Sequence, residues 1–277
     1  MILQIVVPTF NRLVEATRQI GFLACEVTNF PKIALLLSDN ASSEDVSAAL
    51  QDKCSSVNAK YRRNETNLGL VGNLLRCVER CDSDYIWFVG DDDVLEPGAV
   101  ARVFDRLVAN SPEYLFLNHF AVDIAGSIKL SSALPVDGHE DSELNALNVI
   151  AYSGTALMLI TANVYRISKL RAAILNDRFA RDRLSAPLYW SLYCAQGGRL
   201  NFIDDLLVKN VWGATSWSKQ AKDVLQVQVP IELIRSVGMR YPKAIAIELA
   251  IPALGRLAWG LMLRLVRRYS YERKQLV

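Results

Sequence analysis

The stretch YIWFVGDDDVLEP, residues 85–97, decides the fold class, because an apolar run stops abruptly at three adjacent aspartates. Five apolar or aromatic residues in a row, 85–89, are typical of a strand covered on both faces. Adjacent carboxylates repel one another, and none of them leaves water cheaply without a partner. The stretch therefore predicts a buried strand whose carboxyl end uses these charges in a site.

Three more apolar runs of strand length occur in the first 118 residues, at 3–7, 33–37 and 114–118. Segments that suit helices lie between the runs, at 12–27, 43–53 and 72–81, and Pro97-Gly98 opens another helix. Alternation of strands and helices predicts a three-layer α/β domain with a mostly parallel central sheet.

The second half of the chain has a weaker alternation. A polar stretch at 123–145 is typical of a loop or flap, and it is followed by an apolar strand at 155–160. A helix at 184–196 and a short strand at 200–203 complete the globular part. The prediction is a catalytic domain over 1–225, with a nucleotide-binding half at 1–118 and an acceptor half at 119–225, followed by a helical extension at 226–277.

Composition excludes several classes of protein. The chain has 277 residues, is 51% hydrophobic and carries a formal net charge of +2, with lysine and arginine dispersed, so nothing indicates nucleic acid as a partner. Five cysteines without a CxxC pair and two histidines make a zinc site or a disulfide framework unexpected. The first eight residues suit a strand and lack the features of a signal peptide, so a cytoplasmic location is expected.

Four polar loops follow the predicted strands: PTFNR at 8–12, SDNASS at 38–43, NETNLGLVGN at 64–73 and GDDD at 90–93. The carboxyl ends of parallel strands meet at one edge of a sheet and form its ligand crevice. Asparagine, aspartate and serine bind a base and a ribose, and clustered carboxylates bind a hard divalent cation. Each loop alone is also typical of a turn or a helix cap, but together they predict a metal-dependent nucleotide site.

The order of the motifs IVVPTFNR, SDNASSED, NETNLGLVGN and YIWFVGDDDVLEPGAV resembles the family 2 glycosyltransferases, which have the A-type glycosyltransferase fold. The match covers about the first hundred residues. The resemblance implies a nucleotide-sugar site made of Pro8, Thr9, Asn11, Arg12, Asp39, Asn67, Asn73, Asp91 and Asp92.

The acidic cluster departs from the family pattern Asp-x-Asp-Asp, because Gly90 stands at its first position. This departure places the metal function on Asp92, leaves Asp91 for the ribose or a metal-bound water, and makes Asp93 the next metal ligand. The implied cofactor is Mg²⁺ or Mn²⁺, which stabilises the charge that grows on a departing diphosphate.

The family's catalytic base is an acid at the start of a helix in the second half, and here the expected pair falls on Ser185 and Ala186. Neither of these side chains can take a proton. Asp182 is the nearest carboxylate and is the predicted base, with Asp177 next, although Asp182 also suits a surface ion pair with a neighbouring arginine.

Two tryptophans, Trp212 and Trp217, are candidates for the acceptor cleft, because aromatic rings stack on sugars, but core or lid positions suit them equally.

The segment at 254–268 has a helical period, with an apolar face that includes Leu254, Ala258 and Leu261. Six basic residues against one acidic residue in 252–277 leave a local charge of +5. Such a helix suits an anionic membrane surface, or packing on this domain or another subunit.

The expected function is therefore transfer of a sugar from a nucleoside diphosphate sugar to a hydroxyl of a glycan or lipid-linked saccharide, with inversion. The expected setting is bacterial surface polysaccharide synthesis, such as that of O-antigen, with the protein at the inner face of the cell membrane. Two alternatives remain: a nucleotidyltransferase acting on sugar phosphates, which would need a more basic, glycine-rich first loop than residues 8–12, and a non-catalytic subunit that binds sugar nucleotides.

Overall fold

A computed structural model of the chain describes residues 1–134, 153–177, 183–196, 200–212, 220–239, 241 and 243–274. In these ranges side chains are described except at 237, 244–246 and 263–274.

Nine strands in the described ranges form one sheet in the order β3-β2-β1-β4-β8-β6-β9-β5, with β7 paired to β6. The strands are β1 (Leu3–Thr9), β2 (Ile33–Asp39), β3 (Lys60–Arg63), β4 (Tyr85–Phe88), β5 (Val94–Leu95), β6 (Tyr114–Asp123), β7 (Ile128–Leu130), β8 (Asn163–Arg166) and β9 (Leu200–Trp212).

The sheet is parallel in its first part and mixed in its second. Strands β3, β2, β1 and β4 run parallel to one another, whereas β8 is antiparallel to both β4 and β6. Strand β9 returns parallel to β6. The predicted parallel order therefore holds for β3, β2, β1 and β4, and the antiparallel strand β8 marks the change to mixed pairing.

The described helices are α1 (Leu13–Val27), α2 (Glu44–Ser56), α3 (Gly69–Glu79), α4 (Ala99–Asn110), α5 (Ile167–Asn176), α6 (Ala186–Ala195), α7 (Ala221–Asp223), α8 (Val229–Arg235) and α9 (Lys243–Lys274). Short 3₁₀ segments lie at Gly154–Met158, Ile160–Ala162 and Ser236–Gly238, and a π-helical turn lies at Val224–Gln228. None of the described helices has the length and apolar character needed to cross a membrane.

Two hydrophobic cores lie on opposite faces of the sheet, as the period of two in a strand requires. Leu3, Ile5 and Val7 of β1 pack with α1, α2 and α4 on one face. Val6 of the same strand packs on the other face with α3, α5 and α6. The predicted three-layer α/β architecture is confirmed by these two cores.

The strand predicted at 155–160 is wrong, because this segment forms two 3₁₀ turns and the strand begins only at Asn163. The segment is apolar because it is buried, with Leu157 fully buried, and burial alone does not distinguish a strand from a helical turn. The turn is fixed by polar contacts: the Trp87 Nε1–H donates to the Thr161 carbonyl at 2.8 Å.

The carboxy-terminal helix α9 presents its predicted apolar face to solvent. Leu254, Ala258 and Leu261 are exposed, whereas Gly260, predicted on the opposite face, is buried. A Cβ added at Gly260 would lie 2.5 Å from the Gln226 carbonyl oxygen, so the absence of a side chain allows α9 to pack closely on the π-helical turn.

Candidate functional site

The acidic cluster lies beside the loop that follows β1, because β1 and β4 are adjacent parallel strands that end at the same sheet edge. The Thr9 hydroxyl donates to Asp91 Oδ2 at 2.8 Å. The Arg12 guanidinium lies 3.1 Å from Asp92 Oδ2 and 3.3 Å from Asp91 Oδ1. Thr9 and Arg12 are thus in direct contact with Asp91 and Asp92, about 80 positions further along the chain.

The three aspartates have different surroundings. Asp91 is 5% exposed, and burial raises its pKa to about 6 although Arg12 and Thr9 oppose the shift. Asp93 is 3% exposed, and burial likewise raises its pKa to about 6. The Asp92 side chain is 24% exposed. Asp92 is therefore the member of the triplet that a ligand reaches most easily.

Asp93 is held by residues of the second half of the chain. Its Oδ1 accepts a hydrogen bond from Asn210 Nδ2 at 2.7 Å, and its Oδ2 accepts one from the Thr161 hydroxyl. Thr161 Oγ1 also accepts from the Gly90 N–H at 2.9 Å. The predicted second metal ligand therefore uses both oxygens on internal partners and connects the acidic loop to the 3₁₀ turn and to β9.

Gly90 fills the place of the family's first acid because a side chain does not fit there. A Cβ at this position would lie 2.7 Å from Asp93 Oδ2 and 3.3 Å from Asp92 Oδ1. Contacts under 3.0 Å force neighbouring atoms to move. The departure from the family pattern is thus coupled to the position of Asp93.

Asp39, at the end of β2, is fully buried. Its Oδ1 accepts from the Ser42 N–H at 2.9 Å, and its Oδ2 accepts from the hydroxyls of Ser47 and Tyr61, both at 2.6 Å. Burial by itself raises the pKa of this carboxyl, but hydrogen bonds from Ser42, Ser47 and Tyr61 outweigh burial and lower the pKa. Asp39, predicted as part of the nucleotide-sugar site, is thus an ionised anchor of the loop at 39–47.

An asparagine network connects the loops after β2 and β3. Asn40 Nδ2 donates to Asn67 Oδ1 at 2.8 Å, and Asn64 Nδ2 donates to Asn73 Oδ1 at 2.9 Å. Asn73 is buried and also bonds Ser38, whereas Asn67 is exposed. Asn67 is therefore open to a ligand, and Asn73 supports the loop beneath it.

Asn40 and Asn64 were not among the predicted site residues. Both lie in quoted motifs, SDNASSED and NETNLGLVGN, and their place in these motifs could have indicated that they belong to the site. Two loops rich in Asn at one sheet edge can satisfy each other's side-chain donors and acceptors.

The remaining predicted residues of the first loop fix its shape. Asn11 has a left-handed backbone, φ 53°. Its N–H donates to Ser42 Oγ at 2.8 Å, and its Oδ1 accepts from the Ser43 N–H at 2.9 Å. Pro8 is buried within β1 beside Ser38 of β2. These contacts connect the loop after β1 to the loop after β2.

The residues at the cluster suit a divalent cation that also has phosphate ligands. Among the described residues, no group of three or more His, Cys, Asp and Glu is arranged to hold an ion by itself. Mg²⁺ is usually bound by one or two carboxylates together with substrate phosphates and water. Asp92, accessible and acidic, fits that arrangement, whereas Asp93 has its oxygens engaged.

The predicted base, Asp182, lies outside the described residues, as does Trp217, while Trp212 is 50% exposed at the end of β9. Asp177, the second candidate base, is 4% exposed and paired with Arg183 at 2.9 Å and Arg235 at 3.0 Å. Two ion pairs occupy Asp177, and its burial leaves it little access to an acceptor.

Ser185, where the family's acidic pair was expected, is buried against an acid from the extension. Its hydroxyl donates to Glu232 Oε1 at 2.9 Å, and Glu232 also pairs with Arg183 at 2.7 Å and Arg235 at 2.6 Å. Burial raises the pKa of Glu232, while the two arginines oppose the shift. No motif in the sequence indicates this contact between Ser185 and Glu232, which lie 47 residues apart.

Comparison with known proteins relates this geometry to a family. The family model described as Glycosyl transferase family 2 matches residues 4–134. A Campylobacter jejuni protein named GalNAc(5)-diNAcBac-PP-undecaprenol beta-1,3-glucosyltransferase is 27% identical over 106 residues. The alignment covers 38% of this chain and 34% of the C. jejuni protein, so the chain matches about a third of that relative.

Solved structures share the fold at low sequence identity. The S. aureus TarS 1–349 structure has a TM-score of 0.64 and 16% identity, and the match covers 92% of this chain and 71% of that one. The same TarS portion was also solved in complex with UDP-GlcNAc, with a TM-score of 0.63 and 16% identity over 92% of this chain and 72% of that one.

The mannosyltransferase PcManGT from Pyrobaculum calidifontis, in complex with GDP-Man and Mn²⁺, has a TM-score of 0.63 and 12% identity. That match covers 95% of this chain and 75% of the other. The expected A-type glycosyltransferase fold is confirmed by these matches, and residues 4–134 match the model of glycosyl transferase family 2, as the order of the motifs predicted.

Proposed function

We propose that the chain is a glycosyltransferase that moves a sugar from a nucleoside diphosphate donor to a hydroxyl of a glycan or lipid-linked saccharide. The observation that carries the proposal is the contact of Thr9 and Arg12 with Asp91 and Asp92 within the family 2 domain. The names of the similar proteins support the substrate classes: one includes an undecaprenol-linked saccharide, and two structures contain UDP-GlcNAc or GDP-Man.

In this proposal residues 1–118 bind the donor and residues 119–225 bind the acceptor, with 226–277 as an extension. Asn67 is exposed beside the loop after β2, where it would contact the ribose or diphosphate. Trp212 lies at the carboxyl end of β9 in the acceptor half and offers a ring face to a sugar. Asp39 and Asn73 act by holding the loops that form the pocket.

The proposed chemistry needs positive charge at the departing diphosphate. Arg12 supplies a guanidinium at the acidic cluster and suits a phosphoryl group through paired N–H donors. Asp92 is the residue that would hold Mg²⁺ or Mn²⁺, with Asp91 beside it. When bound, the cation neutralises charge on the diphosphate as the sugar leaves.

We further propose direct displacement with inversion. The acceptor oxygen forms a bond to the anomeric carbon from the face opposite the diphosphate, and the bond from that carbon to the diphosphate oxygen breaks with its electron pair. The acceptor proton passes to the base, for which Asp182 remains the proposal. Asp177 is disfavoured because Arg183 and Arg235 keep it paired.

The test of the donor site compares wild type with Asp92→Asn. Transfer from a panel of nucleoside diphosphate sugars is measured with Mn²⁺ and with EDTA. We expect Asp92→Asn to lower kcat/KM by about 10²–10³-fold, because a group that stabilises developing charge is lost, and EDTA to suppress wild-type turnover. The exposed acid Asp105→Asn is the charge-matched control and should retain wild-type turnover. Equal rates for the two variants would contradict the proposed role of Asp92.

The base is tested separately with Asp182→Asn. We expect kcat to fall by about 10²–10⁴-fold, the usual contribution of general base catalysis, while binding of the nucleoside diphosphate stays unchanged. In the residual activity of Asp182→Asn, the fall in rate at low pH that the wild type shows should be absent. Full turnover in this variant would show that another group takes the proton.

Absence of turnover with every donor and acceptor, together with tight nucleoside diphosphate binding, would favour a non-catalytic subunit instead. The observation behind this second candidate is that Ser185 is buried against Glu232 where an acidic pair was expected.

We also propose a cytoplasmic location at the inner membrane face and a role in bacterial surface polysaccharide synthesis, with α9 as the membrane contact.

A further inference from the structure

A second charged cleft lies at the edge of the sheet, apart from the acidic cluster. It has a volume of about 630 Å³ and is lined by Arg62 and Arg63 of β3 together with Arg80 and Asp82, which follow α3. Strand β3 is an edge strand, paired only with β2 in the described sheet. The cleft is therefore open to solvent along that edge.

The cleft carries excess positive charge. Three guanidinium groups and one carboxylate line it, which leaves a net charge of +2. Within the described residues, Arg62 and Arg80 have no acidic side chain within 4.0 Å, whereas Arg63 pairs with Glu44 at 2.9 Å. Like charges gathered around a concave surface repel one another and attract an anion.

Helix α3 explains only part of this charge. Cations are favourable near the carboxyl end of a helix, which accounts for Arg80 and for Arg171, whose guanidinium donates to the Val78 and Cys81 carbonyls at 3.1 and 2.7 Å. Arg62 belongs to β3 and reaches the cleft from another element. Among the described residues no acidic side chain forms an ion pair with Arg62, so an ion pair does not explain its position in the cleft.

We propose that this cleft is a binding site for a phosphoryl anion, either a free phosphate or diphosphate group or the phosphate of an anionic lipid headgroup. Guanidinium groups bind phosphoryl oxygens through two parallel N–H donors, and several of them around one cleft fit a diphosphate better than a carboxylate. Of the residues that line the cleft, only Arg63 also contacts the loop after β2, through the Ser42 carbonyl at 2.7 Å. We therefore expect donor binding at the acidic cluster not to depend on Arg62 and Arg80.

The test uses the double variant Arg62→Gln/Arg80→Gln in the whole chain. Binding of inorganic diphosphate is measured by calorimetry at low salt without divalent cations, and binding to phosphatidylglycerol and to phosphatidylcholine vesicles is measured by sedimentation. The control variant Lys32→Gln/Lys222→Gln removes the same charge from two exposed positions elsewhere. Nucleoside diphosphate binding and melting temperature are measured for each protein.

We expect the double variant to weaken binding of one phosphoryl ligand about tenfold or more, since two charge-assisted contacts are lost, while the control and nucleoside diphosphate binding stay near wild type. A loss confined to inorganic diphosphate identifies a soluble phosphoryl group as the ligand. A loss confined to phosphatidylglycerol vesicles identifies the lipid headgroup. Equal losses in both variants, or no binding by the wild type, would overturn the proposal.

Discussion

At the scale of single residues, Gly90 is the position in the acidic loop where a side chain is least tolerated, because two carboxylates are packed where that side chain would be. The distance of 2.7 Å from a Cβ to Asp93 Oδ2 leaves no room for alanine, and still less for the aspartate of the family pattern. The cluster thus has one accessible acid, Asp92, while Asp91 and Asp93 are buried.

We predict that Gly90→Ala lowers the free energy of unfolding by about 1–3 kcal/mol, the usual cost of overpacking a tight site. Chemical denaturation measures the change. The matched control is Gly255→Ala in α9, where a Cβ meets nothing within 4 Å. A helical glycine replaced by alanine should gain about 0.5–1 kcal/mol, so similar losses in both variants would contradict this account.

The buried carboxyl of Asp93 makes stability depend on pH. Burial raises its pKa to about 6, above the ordinary aspartate value of 3.8. The folded state therefore binds this proton more tightly than the unfolded state, and the stabilising contribution is present below pH 4 and lost as the pH rises through 6.

We predict that Asp93→Asn, measured without divalent cations, flattens the fall in unfolding free energy between pH 4 and pH 6 by on the order of 2 kcal/mol. Asp91, whose pKa is raised in the same direction, retains part of the slope. The exposed control Asp105→Asn should keep the wild-type slope. A slope that Asp93→Asn leaves unchanged would show that this carboxyl does not titrate in that range.

At the scale of elements, the sequence was informative where strands and helices alternate. The runs at 3–7, 33–37 and 85–89 correspond to β1, β2 and β4, because parallel strands covered on both faces are apolar without interruption. The same criterion failed at 155–160, where an equally apolar segment forms 3₁₀ turns. A short apolar run shows burial, and only its hydrogen-bonded partners determine its conformation.

The apolar face predicted for α9 is exposed, and the opposite face packs on the protein. Ile247, Ile251 and Leu254 are 54%, 64% and 53% exposed, and they share one face with Ala258 and Leu261. The opposite face, with Leu249 and Ala253, packs on the protein. An apolar stripe on the surface of a basic segment favours the proposed contact with an anionic membrane over packing on this domain.

We predict that Ile251→Ser/Leu254→Ser weakens sedimentation with phosphatidylglycerol vesicles about tenfold or more, since two apolar side chains no longer enter the interface. Val108→Ser/Leu175→Ser removes comparable exposed side chains from α4 and α5 and should have little effect. Unchanged vesicle binding combined with a smaller solution mass for the α9 variant would show that a second subunit covers the stripe.

At the scale of the whole molecule, the sequence predicted the site as far as its motifs extend. Thr9, Arg12, Asp91 and Asp92 were identified from loops after strands, and the parallel pairing of β1 and β4 brings them together. Thr161 and Asn210, which contact Asp93, were missed because neither lies in a polar loop after a predicted strand: Thr161 belongs to a 3₁₀ turn and Asn210 to β9. Separation along the chain is not the obstacle, since Thr9 and Asp91 are 82 positions apart.

The hydrogen bonds of Asp93 to Thr161 and Asn210 have a consequence for recombination between related enzymes. A crossover placed after residue 118 would separate Asp93 from both partners and would also cut strand β6, which spans Tyr114–Asp123. Exchange of the segment that follows thus requires threonine and asparagine, or an equivalent pair, at these two positions in the incoming segment. Through this one carboxylate the first part of the chain depends on the residues of the second.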